Sequence, residues 1–79
     1  MPLREPWADL TRSTIGSAPD RYGVVEFAID GEIEAIESGV VRDVLKEALA
    51  YEGYEEVRWT VADHRDHADR LAREHRERL

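Results

Sequence analysis

Hydrophobic and polar positions change their spacing several times along the chain, and each change marks an expected element. Tyr22 to Ile29 and Glu32 to Glu37 read as two extended segments rich in apolar residues, around an Asp30-Gly31 pair. Asp-Gly between two such segments predicts a β-hairpin. With a two-residue loop, Phe27 would face Glu34 and Ile29 would face Glu32, which puts carboxylates on the apolar side. A three-residue loop of Ile29, Asp30 and Gly31, with Gly31 left-handed in a bulge, instead pairs Phe27 with Ile33 and Val25 with Ala35. One face is then apolar throughout, Glu26 lies opposite Glu34 on the outer face, and Phe27, Ile33 and Trp59 point into one interior.

From Gly39 the spacing turns helical. Val41, Val44, Leu45, Ala48 and Leu49 form a stripe, with Arg42, Asp43, Lys46 and Glu47 facing water. Ser38 or Gly39 starts this helix and Gly53 supplies a left-handed stop. Val57-Arg58-Trp59-Thr60-Val61 reads as a strand with Val57, Trp59 and Val61 inward and Trp59 at the centre of the core. Asp63 to Leu79 reads as a second helix with Asp63 as its cap and a thin stripe of Ala68, Leu71, Ala72, His75 and Leu79. Three acid-first pairs, Asp66 with Arg70, Asp69 with Arg73 and Glu74 with Arg78, are spaced to lace its exposed side. Residues 1–19 form an arm with a short helix over Pro6-Trp7-Ala8-Asp9-Leu10, followed by the breaker-rich Gly16-Ser17-Ala18-Pro19. Trp7 and Leu10 cover an edge or end of the core.

The expected architecture is a two-layer α+β domain over residues 20–79, with a three-stranded, largely antiparallel sheet and both helices on one face. Its order is hairpin, helix, strand, helix. The outer face then shows Val24, Glu26, Ile36, Arg58 and Thr60. Seventy-nine residues support a single core, which buries only about 60 to 65% of the unfolded surface.

Charge changes this picture by suggesting a medium. Eighteen acidic residues against 11 basic ones give a net charge of −7, and Lys46 is the one lysine. An acidic surface nearly empty of lysine fits a cytoplasm rich in salt, where molar ionic strength shortens the screening length to about 3 Å. The chain has no cysteine, which removes disulfides and thiolate metal sites. No apolar run approaches the roughly 20 residues of a membrane span, and the first residues lack the apolar stretch of a secretory signal. The protein is expected to be cytoplasmic, without a membrane association and with little affinity for nucleic acid.

Candidate chemistry is sparse. His64 and His67, beside Asp63 and Asp66, have metal-like residue types and spacing, but His75 lies about 12 Å further along a helix and cannot complete a site. Capping and solvation account for the pair. Ser38-Gly39 before a helix could hold an anion, against which Glu37 argues. Arg65, Arg73 and Arg76 could form a ridge for nucleic acid, but interleaved acids weaken it. No catalytic residue, cofactor or metal ligand is assigned.

Tyr22-Gly23-Val24-Val25-Glu26-Phe27 and Ala35-Ile36-Glu37-Ser38-Gly39, with the order strand, strand, helix, strand, helix, resemble the GIY-YIG nuclease core over roughly residues 19–79. The chain also looks like one of the small proteins of halophilic archaea, for which that core would be a degenerate relative. The resemblance places the first motif tyrosine on Val25, the second on Ala35 and its glycine on Glu37. The family arginine falls on Asp43 or, one residue over, on Arg42, and the metal-binding glutamate nearest Ala72. Such replacements imply loss of nuclease activity. The expected function is a non-catalytic interaction or self-association module, homodimeric or docked on another protein. The alternatives are a residual metal-dependent nuclease using Arg42, Tyr22 and a carboxylate, and a nucleic-acid-binding domain using the last helix.

Overall fold

Tyr22–Ile29 (β2) reads Tyr-Gly-Val-Val-Glu-Phe-Ala-Ile, and its six central residues are all buried. A strand without a wet face must lie mid-sheet with cover on both sides. The computed structural model describes residues 7–78 and shows this arrangement. In it β1 (Ala8–Asp9), α1 (Arg12–Ser17) and β2 are followed by β3 (Glu32–Val40), α2 (Val41–Tyr51), β4 (Glu56–Val61) and α3 (Arg65–Glu77). The sheet is antiparallel throughout, with four strands in the order β1-β4-β2-β3.

The fold is α+β as expected, but the sheet gains a fourth strand and the helices do not share a face. Val25, Phe27 and Val57 pack with Val41, Leu45 and Ala48 of α2, and with Leu10, Ile15 and Ala18 from the N-terminal segment. Val24 and Ile36 instead meet Ala72 of α3, with Ile33 and Leu71 beside them. The sheet is therefore sandwiched between α1 and α2 on one side and α3 on the other. Val24, Glu26 and Ile36, expected on an open face, lie beneath α3 and are buried.

The hairpin register differs for a physical reason. Asp30 and Gly31 have φ of 56° and 79°, the left-handed pair that a two-residue type I′ loop demands. Ile29 pairs with Glu32 and Ala28 with Ile33, after which the register shifts so that Phe27 pairs with Ala35 and Glu26 with Ile36. Glu34 is the extra residue of a bulge. The bulge relieves the parity conflict of the short loop by turning Glu34 out to solvent instead of against Phe27. It also sends Ile33 to the α3 side, away from Phe27 and Trp59, so those three residues do not converge. Glu26 consequently has no carboxylate opposite it. Two carboxylates hold the loop from below: Glu55 accepts the Asp30 amide and Glu56 the Gly31 amide, each at 3.1 Å.

Several local boundaries also move. Ala8–Asp9 is a strand pairing with Val57 and Glu56, not part of a helix, while Pro6 of the expected helix lies outside the described residues. The short helix comes later, over Arg12–Ser17, capped by the Thr11 hydroxyl, which accepts the Thr14 amide at 3.2 Å. β3 runs on to Val40, so α2 begins at Val41 without a side-chain cap, and it ends on an extended Glu52 instead of a left-handed Gly53. Phe27 and Leu45 occupy the centre that Trp59 was expected to hold, and Trp59 is partly buried at the rim. Gly23 is required by close approach, since a Cβ there would stand 2.3 Å from the Thr60 carbonyl oxygen. No helix among the described residues is long and apolar enough to cross a membrane.

Candidate functional site

The most heavily buried charge is Glu26, in the middle of β2. Its neighbours across the sheet and above it are set by register and helical spacing: Arg58 pairs with it on β4, and His75 descends from α3. Arg58 Nε donates to Oε1 at 2.7 Å, and His75 Nδ1 lies 3.2 Å from Oε2. Because a carboxylate only accepts, the tautomer of His75 that carries its proton on Nδ1 completes this contact. The Arg58 guanidinium also stacks 4.0 Å from the Trp7 ring centroid, which closes the cluster from the β1 side. With both oxygens engaged and no exposure, Glu26 cannot reach a substrate while α3 is in place. The cluster is a polar tie between sheet and helix.

Other groups offered by the sequence are likewise engaged in the fold. His64 Nδ1 accepts the His67 amide at 3.2 Å and so is the cap of α3 in place of Asp63, while His67 Nδ1 accepts the Asp63 amide at 3.0 Å. Both histidines thus satisfy backbone groups at the helix start. Arg42 turns inward and donates from Nε and Nη2 to the Ala18 carbonyl at 3.2 and 2.8 Å, which fastens α2 to the N-terminal segment. Val25 and Ala72 are core residues, Ala35 is partly buried, and Glu37 is exposed on the α2 side of the sheet. Tyr22 lies under the Arg65 guanidinium at 5.9 Å. Arg76 reaches over the outer strand β3 and donates to the Ile36 carbonyl at 3.2 and 2.6 Å. Of the three arginines proposed as a ridge, Arg73 is the one without such a tie among the described residues. The three spaced acid–arginine pairs of α3 do not close as ion pairs among the described residues. Asp69 instead accepts the Ser38 hydroxyl, another tie to β3.

Two concave regions flank α2. The narrower, about 200 Å³, lies toward β3 and is rimmed by Glu37, Glu47 and Glu52 around Tyr54. Tyr54 stacks on Phe27 with centroids 4.8 Å apart. Partial burial, and then the charges of Glu52, Glu37 and Glu34, push its hydroxyl pKa above the ordinary tyrosine value. The larger is an open groove of about 700 Å³ between α1 and α2. Leu10, Ile15, Leu49 and Ala50 make its floor and wall, Arg12 and Lys46 stand at its rim, and no acid among the described residues lines it. Leu49 is 39% exposed there, although its place in the helical stripe predicts burial. Leu49 lies in the last turn of α2 and lines the groove.

Residues 1–78 match the family described as a domain of unknown function (DUF7508). The chain belongs to that family. No curated protein and no solved structure matches it. The matched span of this DUF7508 domain contains both helices of the groove and all three members of the buried cluster.

Proposed function

We propose that this chain is a non-catalytic interaction module that docks onto another protein through the groove between α1 and α2. The observation that carries the reading is Leu49, exposed beside a concavity whose floor, Leu10 and Ile15, is continuous with the core, with nothing among the described residues lying over it. Apolar surface gathered in a concavity is stabilised by a partner that removes it from water, whereas singly scattered apolar residues need none. Further support comes from the engagement of Glu26, Arg42, His64 and His67 in structural hydrogen bonds. The setting we propose is a salt-rich cytoplasm, for which the net charge of −7 and the single lysine speak.

Crosslinking in the native cell, comparing the wild type with Leu49→Asp, tests the docking. A crosslinked partner present with the wild type and lost in a variant of equal thermal stability is the expected result. Identical crosslinks from both forms, or none from either, would remove the groove from the account.

A further inference from the structure

Charge is sorted across α2. Among the described residues, the groove on the α1 side carries Arg12 and Lys46 and no carboxylate, whereas the hollow on the β3 side carries Glu37, Glu47 and Glu52. In a chain with 18 acids, a groove lined among the described residues by Arg12 and the sole lysine, with no acid beside them, gathers positive charge on a molecule of net negative charge. We infer that the groove's partner is an acidic amphipathic segment of another protein, with an aliphatic side chain entering between Ile15 and Leu49 and flanking carboxylates reaching Arg12 and Lys46. This rests on the docking reading above and names its partner's chemistry. The division of labour is physical: the aliphatic anchor supplies affinity by desolvation, and rim charges select the partner and its orientation. A second copy is the weaker match. A two-fold contact at this groove would bring Arg12 and Lys46 of each copy toward those of the other.

Short helical peptides with leucines at i and i+4, flanked by Glu, Gln or Lys, test the inference by fluorescence anisotropy against the full chain at moderate salt. The Glu peptide is expected to bind about fivefold more tightly than the Gln peptide, as two exposed ion pairs allow, and the Lys peptide more weakly than either. Arg12→Glu combined with Lys46→Glu should reverse that order, and Leu49→Asp should abolish binding of all three. All three substitutions fall on exposed positions, so circular dichroism should show an unchanged fold.

If Glu, Gln and Lys peptides bind alike and all are lost with Leu49→Asp, docking stands and the acidic partner is overturned. If none binds the wild type, the acidic partner is overturned and the crosslinking experiment alone decides the docking. Three further results overturn the inference by assigning another occupant. One is a dimer in sedimentation that Leu49→Asp dissociates. Another is tighter peptide binding on Leu3→Asp, which would make the chain's own first residues the occupant. The last is groove-dependent binding to phosphatidylglycerol vesicles that outcompetes the Glu peptide.

Discussion

Glu26 brings a carboxylate into a site with no exposure, and its contribution to stability depends on both neighbours at once. Substitution by Leu removes the acceptor and leaves Arg58 and His75 facing an apolar group, a loss of about 3 kcal/mol where a buried partner is stranded. Adding Arg58→Leu removes the stranded charge, and the double variant should recover most of that loss in urea unfolding. If the double variant is no more stable than Glu26→Leu alone, the ion pair is not the tie described here. Tyr54 gives a second expectation. Its raised pKa means that the folded state favours the protonated phenol. The resulting stabilisation is complete below the unfolded value of about 10 and is lost as pH rises through the higher folded value. The ultraviolet difference between wild type and Tyr54→Phe should show a midpoint above that of a free tyrosine, moving down as salt screens Glu52, Glu37 and Glu34. A midpoint at or below the free value would contradict the geometry. Of these residues, His75 was legible as part of an inward stripe. Glu26 was not, because strict alternation assigns it to water. The overlooked signal is the run from Gly23 to Ala28, apolar except for one acid, which indicates burial on both faces and so demands partners for the acid.

At the level of elements, the hairpin combines a tight loop with an extra residue, and the two corrections to register cancel. Deleting Glu34 would leave Ala28 opposite Ile33 and Phe27 opposite Ala35 in a plain ladder, so that Ile36 stays toward α3 and Glu37 toward α2. Cooperative thermal unfolding is therefore expected to persist in the deletion variant. Loss of the cooperative transition would show that the bulge does more than correct the register. Asp-Gly correctly announced a hairpin, and the helical stripes of α2 and α3 identified their buried residues Val41, Leu45, Ala48, Ala68, Ala72 and His75. The bulge itself has no local signature. Its position is decided by which side chains the two helix layers accept, and that is known only once α3 is placed on the face opposite α2. Strand β1 escaped notice because two residues carry no periodicity, and Ala8 earns its place only by pairing with Val57.

On the scale of the whole molecule, a net charge of −7 opposes compaction unless counterions screen it. Raising KCl from about 0.1 M to about 2 M contracts the screening length from about 10 Å to below 3 Å. The melting temperature should then rise by about 5 °C, which corresponds to roughly 1 kcal/mol for a domain of this size. A flat or falling melting temperature would count against a salt-rich medium. The architecture also explains why the groove could not be read in advance: Leu10 and Ile15 lie far from Leu49 in the chain, and only the tertiary packing of α1 against α2 brings them together.

Arg76 has a consequence for the outermost strand. Its guanidinium occupies the Ile36 carbonyl, one of the acceptors that the outer strand would offer to a foreign β-segment, and exposed Glu32, Glu34 and Glu37 repel newcomers along the same margin. Lengthening the ribbon by a donor segment is therefore obstructed both by a blocked acceptor and by repulsion. The last helix thus contributes to keeping that margin from templating further strands, through the arginine it lays across it.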